Sequence, residues 1–362
     1  MSTIRAGTPD SVLITGGAGF IGCNLAHRLA SEGRRVVILD SLARAGVDQN
    51  LAWLQATHGD RIDAVIGDVR DADTVRKAVA RVGTVYHLAA QVAVTTSLTD
   101  PLDDFAVNAG GTLTLLEAVR ARRTPPTLVF TSTNKVYGKL PGVSFHVDGE
   151  RYVPRDALLH ARGIGESQPL DFVSPYGCSK GAADQYVLDY ARTFGLPCTV
   201  FRMSCIYGPH QFGTEDQGWV AHFIKRVLAG EPITLYGDGR QVRDVLFVDD
   251  LVDALLLAAE RIDSLKGEAF NMGGGPDNAT SLHELLERMP RLTGRAAERV
   301  YDEWRPGDQP WYVSDTRRFA ERTGWRPRVG IEEGLARLCR WLSDAARPEP
   351  DRRRVTSGGA VA

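Results

Sequence analysis

Two residues four apart in the chain, Tyr176 and Lys180, have the types and the spacing of an acid–base pair. On a helix this spacing places both side chains on one face, about one turn apart. Ser174 and Pro175 suit the cap and first position of such a helix, so we predict that it starts near Pro175. The pKa of a tyrosine is normally about 10, and an ammonium one turn away is expected to lower it. Tyr176 is therefore predicted to accept a proton from a hydroxyl group.

Thr133 stands where a strand is predicted to end. The apolar run 128–130 indicates a buried strand, and the turn 131–133 follows it directly. At that edge of a sheet the threonine hydroxyl is placed to hydrogen-bond the same oxygen that Tyr176 deprotonates. The alternative is a strand-end threonine that only caps its turn.

The stretch 11–22 predicts a phosphate-binding turn. Residues 12–14 form an apolar run typical of a strand buried on both faces, and a helical pattern that ends at Gly33 follows the turn. Glycine permits a sharp turn and a close approach of backbone N–H groups to a pyrophosphate, and the helix N-terminus adds unpaired donors. The glycines are spaced three apart: Gly16, Gly19 and Gly22.

Asp40 ends the next predicted strand, 36–39. A carboxylate roughly 20 residues beyond such a turn is placed to hydrogen-bond an adenosine ribose. We therefore predict a dinucleotide site, the alternative being a purely structural βαβ corner. Asp40 favours NAD over NADP because its carboxylate repels a 2′-phosphate, although Arg44 nearby would offset this preference. A positively charged nicotinamide beside Tyr176 would be a second cause for a lowered tyrosine pKa.

Strands alternate with helices through the first half of the chain, which predicts an α/β fold with a doubly wound parallel sheet, the Rossmann arrangement. We predict an NAD-binding domain over 11–210, to which segments of 244–272 return. A smaller, mixed C-terminal lobe, mostly 211–343, is predicted to bind the substrate. The segment 344–362 has little to bury and is predicted to be a disordered tail.

Composition excludes several functional classes. The net charge of the 362 residues is −2, with Lys and Arg scattered, so we expect no nucleic-acid partner. No apolar run approaches the roughly 20 residues of a membrane helix, so we expect no membrane partner. Five cysteines without a C-x-x-C pair are typical of reduced thiols in a cytoplasm. The eight histidines lack metal-ligand spacing, so no metal site is expected, and His87 is interpreted as a core residue.

From residue 11 to about 342 the chain resembles the extended short-chain dehydrogenase/reductases, in particular their nucleotide-sugar epimerases and dehydratases. The motifs that carry the resemblance are Thr-Gly-Gly-Ala-Gly-Phe-Ile-Gly at 15–22, Asp68-Val69, Leu88-Ala89-Ala90-Gln91, Thr133 before Val136-Tyr137-Gly138, and Tyr176-Gly177-Cys178-Ser179-Lys180. The resemblance implies bound NAD and a catalytic triad of Thr133, Tyr176 and Lys180, with Lys180 also holding the nicotinamide ribose. The cofactor contacts that it implies are Gly16, Gly19, Phe20, Ile21, Gly22, Asp40, Asp68, Val69, Leu88, Ala89, Ala90, Gln91, Tyr176 and Lys180.

The residues after Thr133 separate the branches of this family. Its 4,6-dehydratases carry Asp-Glu there, because elimination of water needs a separate acid and base, whereas this chain has Asn134 and Lys135. Four segments, 132–138, 170–181, 201–208 and 215–219, are similar to the CDP-paratose/CDP-tyvelose 2-epimerases. That resemblance implies transient oxidation of a nucleotide-linked sugar at C2 by tightly bound NAD, followed by re-reduction from the opposite face.

The substrate implied by the resemblance is a nucleotide sugar, most closely a CDP-linked hexose. Arginines suit its diphosphate because their fork binds two oxygens at once. The substrate-binding residues expected are Asn134, Lys135, Gln217, Trp219, Arg243, Asn271 and Arg305; the alternative for each arginine is a solvated surface charge. The resemblance also implies a homo-oligomer, a dimer or tetramer. A UDP-sugar 4-epimerase or decarboxylase is the alternative enzyme, and an NAD-binding scaffold without turnover is the non-enzymatic one.

Overall fold

A computed structural model describes residues 11–345. Its strands are β1 (Val12–Thr15), β2 (Val36–Asp40), β3 (Ile62–Ile66), β4 (Thr84–His87), β5 (Thr127–Thr133), β6 (Phe145–Asp148), β7 (Arg151–Pro154), β8 (Cys198–Met203), β9 (Cys205–Tyr207), β10 (Ile233–Tyr236), β11 (Val242–Phe247), β12 (Ala269–Met272), β13 (Ala279–Ser281), β14 (Arg299–Asp302) and β15 (Trp311–Tyr312). Its helices are α1 (Phe20–Ser31), α2 (Val47–His58), α3 (Ala72–Val79), α4 (Val94–Thr99), α5 (Pro101–Phe105), α6 (Gly111–Arg120), α7 (Ala157–Arg162), α8 (Ser174–Phe194), α9 (Trp219–Ala229), α10 (Val248–Glu260), α11 (Ile262–Leu265), α12 (Leu282–Thr293), α13 (Arg317–Thr323) and α14 (Ile331–Ala345).

Seven parallel strands form the central sheet, in the order β12-β8-β5-β4-β1-β2-β3. The order reverses between β1 and β4, which creates the crevice at the carboxyl ends of the strands where ligands bind in such sheets. The predicted Rossmann fold is confirmed.

Side chains of the sheet alternate between two hydrophobic clusters, one on each face. Leu13, Val85 and Phe130 face a cluster that includes residues of α3, α6 and α8. Val12 and Ile14 face the other cluster, which includes residues of α1 and α10. Both faces of β1 are therefore buried, and this explains its unbroken apolar sequence.

A second, smaller sheet lies in the C-terminal part of the chain. Of the segment 244–272, which we predicted to return to the central sheet, the strand at its start does not: β11 pairs with β9, β13 and β15 instead. Its residues are buried along their whole length within this mixed sheet. Of the segment 244–272, it is β12 that joins the central sheet, at its edge beside β8. The short sequence run at 245–247 cannot distinguish these partners, because both would bury it.

The C-terminal helix α14 continues to Ala345, two residues into the segment predicted to be a tail; the rest of that segment lies outside the described residues. Within 11–345, no helix has the length and apolarity to cross a membrane. The same residues contain no group of three or more His, Cys, Asp or Glu side chains arranged to hold a metal ion.

Candidate active site

The glycine turn between β1 and α1 packs too closely for side chains. Gly16 has a φ of +70°, and a Cβ on it would lie 2.8 Å from the backbone nitrogen of Ala89. A Cβ on Gly22 would lie 2.3 Å from the carbonyl oxygen of Gly16. Gly19 caps α1 without any side-chain hydrogen bond, so no cap side chain occupies the first N–H groups of the helix, from Phe20 and Ile21 onward. These open donors and the missing Cβ atoms fit a dinucleotide pyrophosphate.

Asp40 is fixed at the end of β2 by two backbone donors. Its Oδ2 accepts a hydrogen bond from the N–H of Ala18 at 3.0 Å, and its Oδ1 accepts one from Leu42 at 2.9 Å. The carboxylate therefore lies directly against the glycine turn, where the sequence predicted a ribose contact.

The other predicted cofactor contacts follow β3 and β4. The side chain of Asp68 pairs with Arg70 at 2.6 Å, and the hydrogen bond from Arg70 holds the pKa of that carboxyl below its usual value. Val69 is buried against Gly111. Leu88, Ala89 and Ala90 are half-buried beyond the end of β4, and Gln91 follows them with its side chain bonded to the backbone of Ala93. All of these residues lie beyond the carboxyl ends of the strands.

The proposed triad comes from two elements. Thr133 ends β5, while Tyr176 and Lys180 lie one turn apart on α8, as predicted. The hydroxyl of Ser174, the first residue of this helix, accepts a hydrogen bond from the N–H of Gly177 at 3.3 Å. The hydroxyl of Thr133 lies close enough to Tyr176 to lower the pKa of the tyrosine. The Nζ of Lys180 donates to the carbonyl oxygen of Thr131 at 2.7 Å and lies 4.3 Å from the ring centre of Phe130.

The expected lowering of the tyrosine pKa is absent from this structure. Burial raises the pKa of Tyr176 to about 12; the hydrogen bond from Thr133 and the positive charge of Arg44 act in the opposite direction. Burial likewise lowers the pKa of Lys180 to about 7, and the charges of Asp184 and Asp104 oppose this change. Spacing correctly predicted that the two residues share a helix, but not the desolvation of both groups, which depends on the surrounding tertiary structure.

A charged cluster lies next to the triad. Lys135 follows Thr133 in a short turn, and its Nζ lies 3.5 Å from Oδ1 of Asp308. The Nη2 of Arg243, on β11, donates to the same oxygen at 2.5 Å. Burial alone would raise the pKa of the Asp308 carboxyl, but Arg243 and Lys135 hold it below its usual value. The structure thus brings together two predicted substrate residues, Lys135 and Arg243.

Arg305 belongs to a different group of contacts. Its guanidinium lies 3.8 Å above the ring centre of Tyr236, and its Nη1 donates to the carbonyl oxygen of Glu215 at 2.9 Å. Gln217 shares a tight turn with Thr214 in the same segment.

Trp219 and Cys205 form a further contact beside the charged cluster. The indole Nε1 of Trp219 donates to the Sγ of Cys205 at 3.4 Å. Burial raises the pKa of the Cys205 thiol, and Arg243 and Lys135 act against this. Trp219 is therefore linked through the thiol to the surroundings of two predicted substrate residues.

Asn134 and Asn271 are both buried, with different surroundings. Asn134 accepts a hydrogen bond from the hydroxyl of Thr133 at 3.4 Å. Asn271 is fully buried in β12: its Oδ1 accepts from the hydroxyl of Tyr137 at 2.8 Å and its Nδ2 donates to Ile164 at 2.8 Å. The expected substrate contact of Asn271 is not supported, because both polar groups of its side chain already have protein partners.

Asp308 is a residue of the site that the sequence did not single out. It lies in the Arg-Pro-Gly-Asp run 305–308, which was noticeable only for Arg305. Its ion pairs with Lys135 and Arg243 join residues far apart in the chain. An aspartate in a polar, glycine-containing loop is ordinarily a surface group, so only the fold reveals this one.

Three comparisons place these features among known proteins. Residues 12–273 match the model of the NAD dependent epimerase/dehydratase family. A CDP-paratose 2-epimerase of Salmonella typhi is 40% identical over 339 residues, 92% of this chain and 99% of the relative. A UDP-glucose 4-epimerase of Thermus thermophilus, solved in complex with NAD, has a TM-score of 0.77 and 34% identity, covering 93% of this chain and 100% of the other. The UDP-glucose 4-epimerase of Thermotoga maritima, solved with UDP-glucose, has a TM-score of 0.78 and 30% identity over 93% and 100%.

Proposed function

The chain belongs to the NAD dependent epimerase/dehydratase family, with NAD as cofactor, and from this premise we propose that it is a nucleotide-sugar 2-epimerase acting on a CDP-linked hexose. The observation that carries the proposal is the position of Thr133, Tyr176 and Lys180 together at the carboxyl edge of the sheet, in a chain 40% identical to a CDP-paratose 2-epimerase.

The proton chemistry rests on the chain's own residues. NAD, when bound along the glycine turn, supplies the acceptor and donor of a hydride. Tyr176 takes the proton of the sugar C2 hydroxyl as that carbon is oxidised and returns it when the carbon is reduced from the other face. Thr133 acts on the pKa of Tyr176, and we assign it to orient the same oxygen. Lys180 is proposed to hold the nicotinamide ribose.

The charged cluster supports an anionic substrate. Lys135 and Arg243 share a single carboxylate, that of Asp308, so one formal positive charge in the cluster is not balanced there. A diphosphate would supply the missing negative charge, and the arginine fork suits its oxygens. We assign the nucleotide diphosphate to Arg243 and Arg305 and the neighbouring sugar to Lys135.

Asn134 stands beside Thr133, and we assign it to the sugar as well. We further propose that Gln217 and Trp219 wall the sugar or base pocket, because both lie in the segment that carries the backbone partner of Arg305.

A 4-epimerase of UDP-sugars is the second candidate. It is favoured by the similarity to the two solved UDP-glucose 4-epimerases, which share the fold over nearly their whole length. A decarboxylase of UDP-sugars belongs to the same alternative. A scaffold without turnover is disfavoured, because such proteins often lose the tyrosine or lysine that this chain retains.

We also propose a homo-oligomer that pairs through helices on one side of the sheet. The support is a group of exposed apolar side chains on α4 and α5, which pack against α8: Leu98, Leu102 and Phe105. A cytoplasmic location is proposed as well, supported by five cysteines that are all unpaired.

The deciding experiment is incubation of the purified protein with CDP-, UDP-, dTDP- and GDP-hexoses, followed by NMR of the products. We expect inversion at C2 of a CDP-linked sugar, with unchanged mass and no steady accumulation of NADH, since the cofactor is regenerated in each turnover. Inversion only at C4 would replace the proposal by its alternative, and loss of water would indicate a dehydratase.

A further inference from the structure

A carboxylate that the catalytic triad does not include lies beneath the first turns of α8. Asp104, on α5, is completely buried. Its Oδ2 accepts a hydrogen bond from the hydroxyl of Ser179 at 2.5 Å, and its Oδ1 accepts one from Nδ2 of Asn108 at 3.2 Å. Among residues 11–345 no cationic nitrogen forms an ion pair with it within 4.0 Å. A buried carboxylate without an ion-pair partner is costly even when it is hydrogen-bonded, so its retention calls for a physical reason.

The network around Asp104 connects the cofactor side of the site with the catalytic helix. Asn108 lies in a π-helical turn, Ala106–Gly110, a geometry that is rare and frequent at functional sites. Its Oδ1 accepts from the N–H of Gln91 at 2.9 Å, and its Nδ2 also donates to the hydroxyl of Ser179 at 3.0 Å. The hydroxyl oxygen of Ser179, whose proton is donated to Asp104, lies 3.2 Å from the carbonyl oxygen of Tyr176. Asp104 is thus tied to both ends of the proposed reaction centre.

The negative charge of Asp104 acts on both titrating members of the triad. For Tyr176 it acts in the same direction as burial, which is the larger cause of the raised pKa. For Lys180 burial lowers the pKa, and the charges of Asp184 and then Asp104 oppose this change. Burial also raises the pKa of Asp104 itself, whereas the hydrogen bond from Ser179 and the charge of Lys180 lower it. A carboxylate stabilises an ammonium and destabilises a phenolate, so its charge shifts the pKa of both groups upward.

Other charged groups also face the pair. Asp184, one turn further along α8, raises the pKa of Lys180 too, but it is occupied by a buried ion pair with Arg202 at 2.9 Å. His87 is close enough to be affected by Lys180, and burial lowers its own pKa to about 3, so it is neutral at pH 7. Arg44 acts on Tyr176 in the opposite sense. Of the two carboxylates that act on Lys180, Asp104 is therefore the one without an ion-pair partner in the described part of the chain.

We propose that Asp104 is a positioning residue of this enzyme: held by Ser179 and Asn108, its carboxylate fixes the first turns of α8 and places a negative charge that favours the ammonium form of Lys180. The effect of Asp104 on the pH–activity profile rests on the proposed epimerase function. Its effect on the titration of Lys180 does not, because that titration is measured in the free protein.

The test is Asp104→Asn, which keeps the shape and removes the charge. Asp189→Asn is the matched control, since Asp189 is an exposed carboxylate on α8, the helix of Lys180, and accepts a hydrogen bond from Thr193. In wild type and both variants the titration of Lys180 is followed by the NMR shift of its labelled side chain, which is tractable because the chain has six lysines. Lys180→Arg identifies the signal.

We expect Asp104→Asn to lower the midpoint of the Lys180 titration by roughly half a unit to one unit, and Asp189→Asn to leave it unchanged. Both limbs of the pH–activity profile should move to lower pH together, because both pKa values fall. Ser179→Ala, which removes one donor and so favours protonation of Asp104, should produce a smaller shift in the same direction.

An unchanged Lys180 midpoint in folded Asp104→Asn, or in Ser179→Ala where the first variant does not fold, would overturn the inference. A uniform loss of activity with unmoved limbs would assign Asp104 to packing alone. If wild type turns over no nucleotide sugar, the proposed function fails, while the Lys180 titration still decides the role of Asp104.

Discussion

Arg243 donates from Nη2 to Oδ1 of Asp308 at 2.5 Å, and the guanidinium is almost completely buried. Its Nη1 donates to the carbonyl oxygen of Val242 at 2.7 Å, so the side chain is held in place before any substrate arrives. An arginine restrained in this way loses little conformational entropy when it binds a diphosphate.

Replacing this arginine should weaken substrate binding more than it slows the reaction. For Arg243→Ala we expect the KM for the nucleotide sugar to rise about 10- to 100-fold, since a charge-assisted hydrogen bond contributes about 1.5–3 kcal/mol. Steady-state kinetics provides the measurement. Arg240→Ala, three residues earlier and half-exposed beside Asp238, is the control and should leave KM unchanged. Equal effects in the two variants would contradict the assignment.

Removal of the Tyr176 hydroxyl should abolish most of the turnover without unfolding the protein. We expect Tyr176→Phe to lower kcat about 10²- to 10⁴-fold, the usual contribution of a positioned acid–base group. Bound NAD and the melting temperature should stay close to wild type. Tyr190→Phe serves as control, because Tyr190 lies on the same helix and its hydroxyl donates to Glu117. Unchanged activity in Tyr176→Phe would remove this residue from the mechanism.

Two glycines, one at the start of α1 and one beyond its end, allow the cost of close packing to be measured separately from the cost of backbone strain. Gly22→Ala places a Cβ 2.3 Å from the backbone of Gly16 and should cost about 1–3 kcal/mol of stability and most NAD binding. Gly33→Ala puts alanine at a φ of +87° in open space, so it should cost about 1–2 kcal/mol and leave NAD affinity intact. Urea unfolding and titration with NAD measure the two effects. Normal NAD affinity in Gly22→Ala would argue against a pyrophosphate at this turn.

His87 should make the protein sensitive to acid. Its ring nitrogens pair with the hydroxyls of Thr15 and Thr112, at 2.7 and 3.0 Å, and burial lowers its pKa from 6.5 to about 3. Below pH 6.5 the unfolded chain therefore binds a proton that the folded protein excludes, so stability is full above this pH and falls as the pH approaches 3. The resulting loss in the free energy of unfolding is on the order of 4 kcal/mol.

The corresponding variant is His87→Gln, which should be less stable than wild type at pH 7 but lose less stability between about pH 6.5 and about pH 4. Denaturant unfolding at several pH values gives the slope of the free energy of unfolding against pH. His146→Gln, on the exposed strand β6, should keep the wild-type slope. A slope that is the same in all three proteins would mean that His87 is not the acid-sensitive group.

Features carried by neighbouring residues could be predicted from the sequence. The glycine turn, Asp40 at the end of β2 and the pairing of Tyr176 with Lys180 on α8 each depend on a short stretch of chain. Local spacing defines such elements, because strand and helix periods are properties of the backbone. A parallel sheet with right-handed crossovers then follows from the alternation of strands and helices.

The rest was decided only by the tertiary structure, because it depends on burial and on contacts between distant segments. Pairing of β11 with β9 rather than with the central sheet, the enclosure of Asn271 and the position of Asp308 between two cations have no signal in the local sequence. The same holds for the raised pKa of Tyr176, since desolvation is set by everything that surrounds a group. The sequence by itself determined which residues are able to do the chemistry; packing determined which of them meet and in what state of charge.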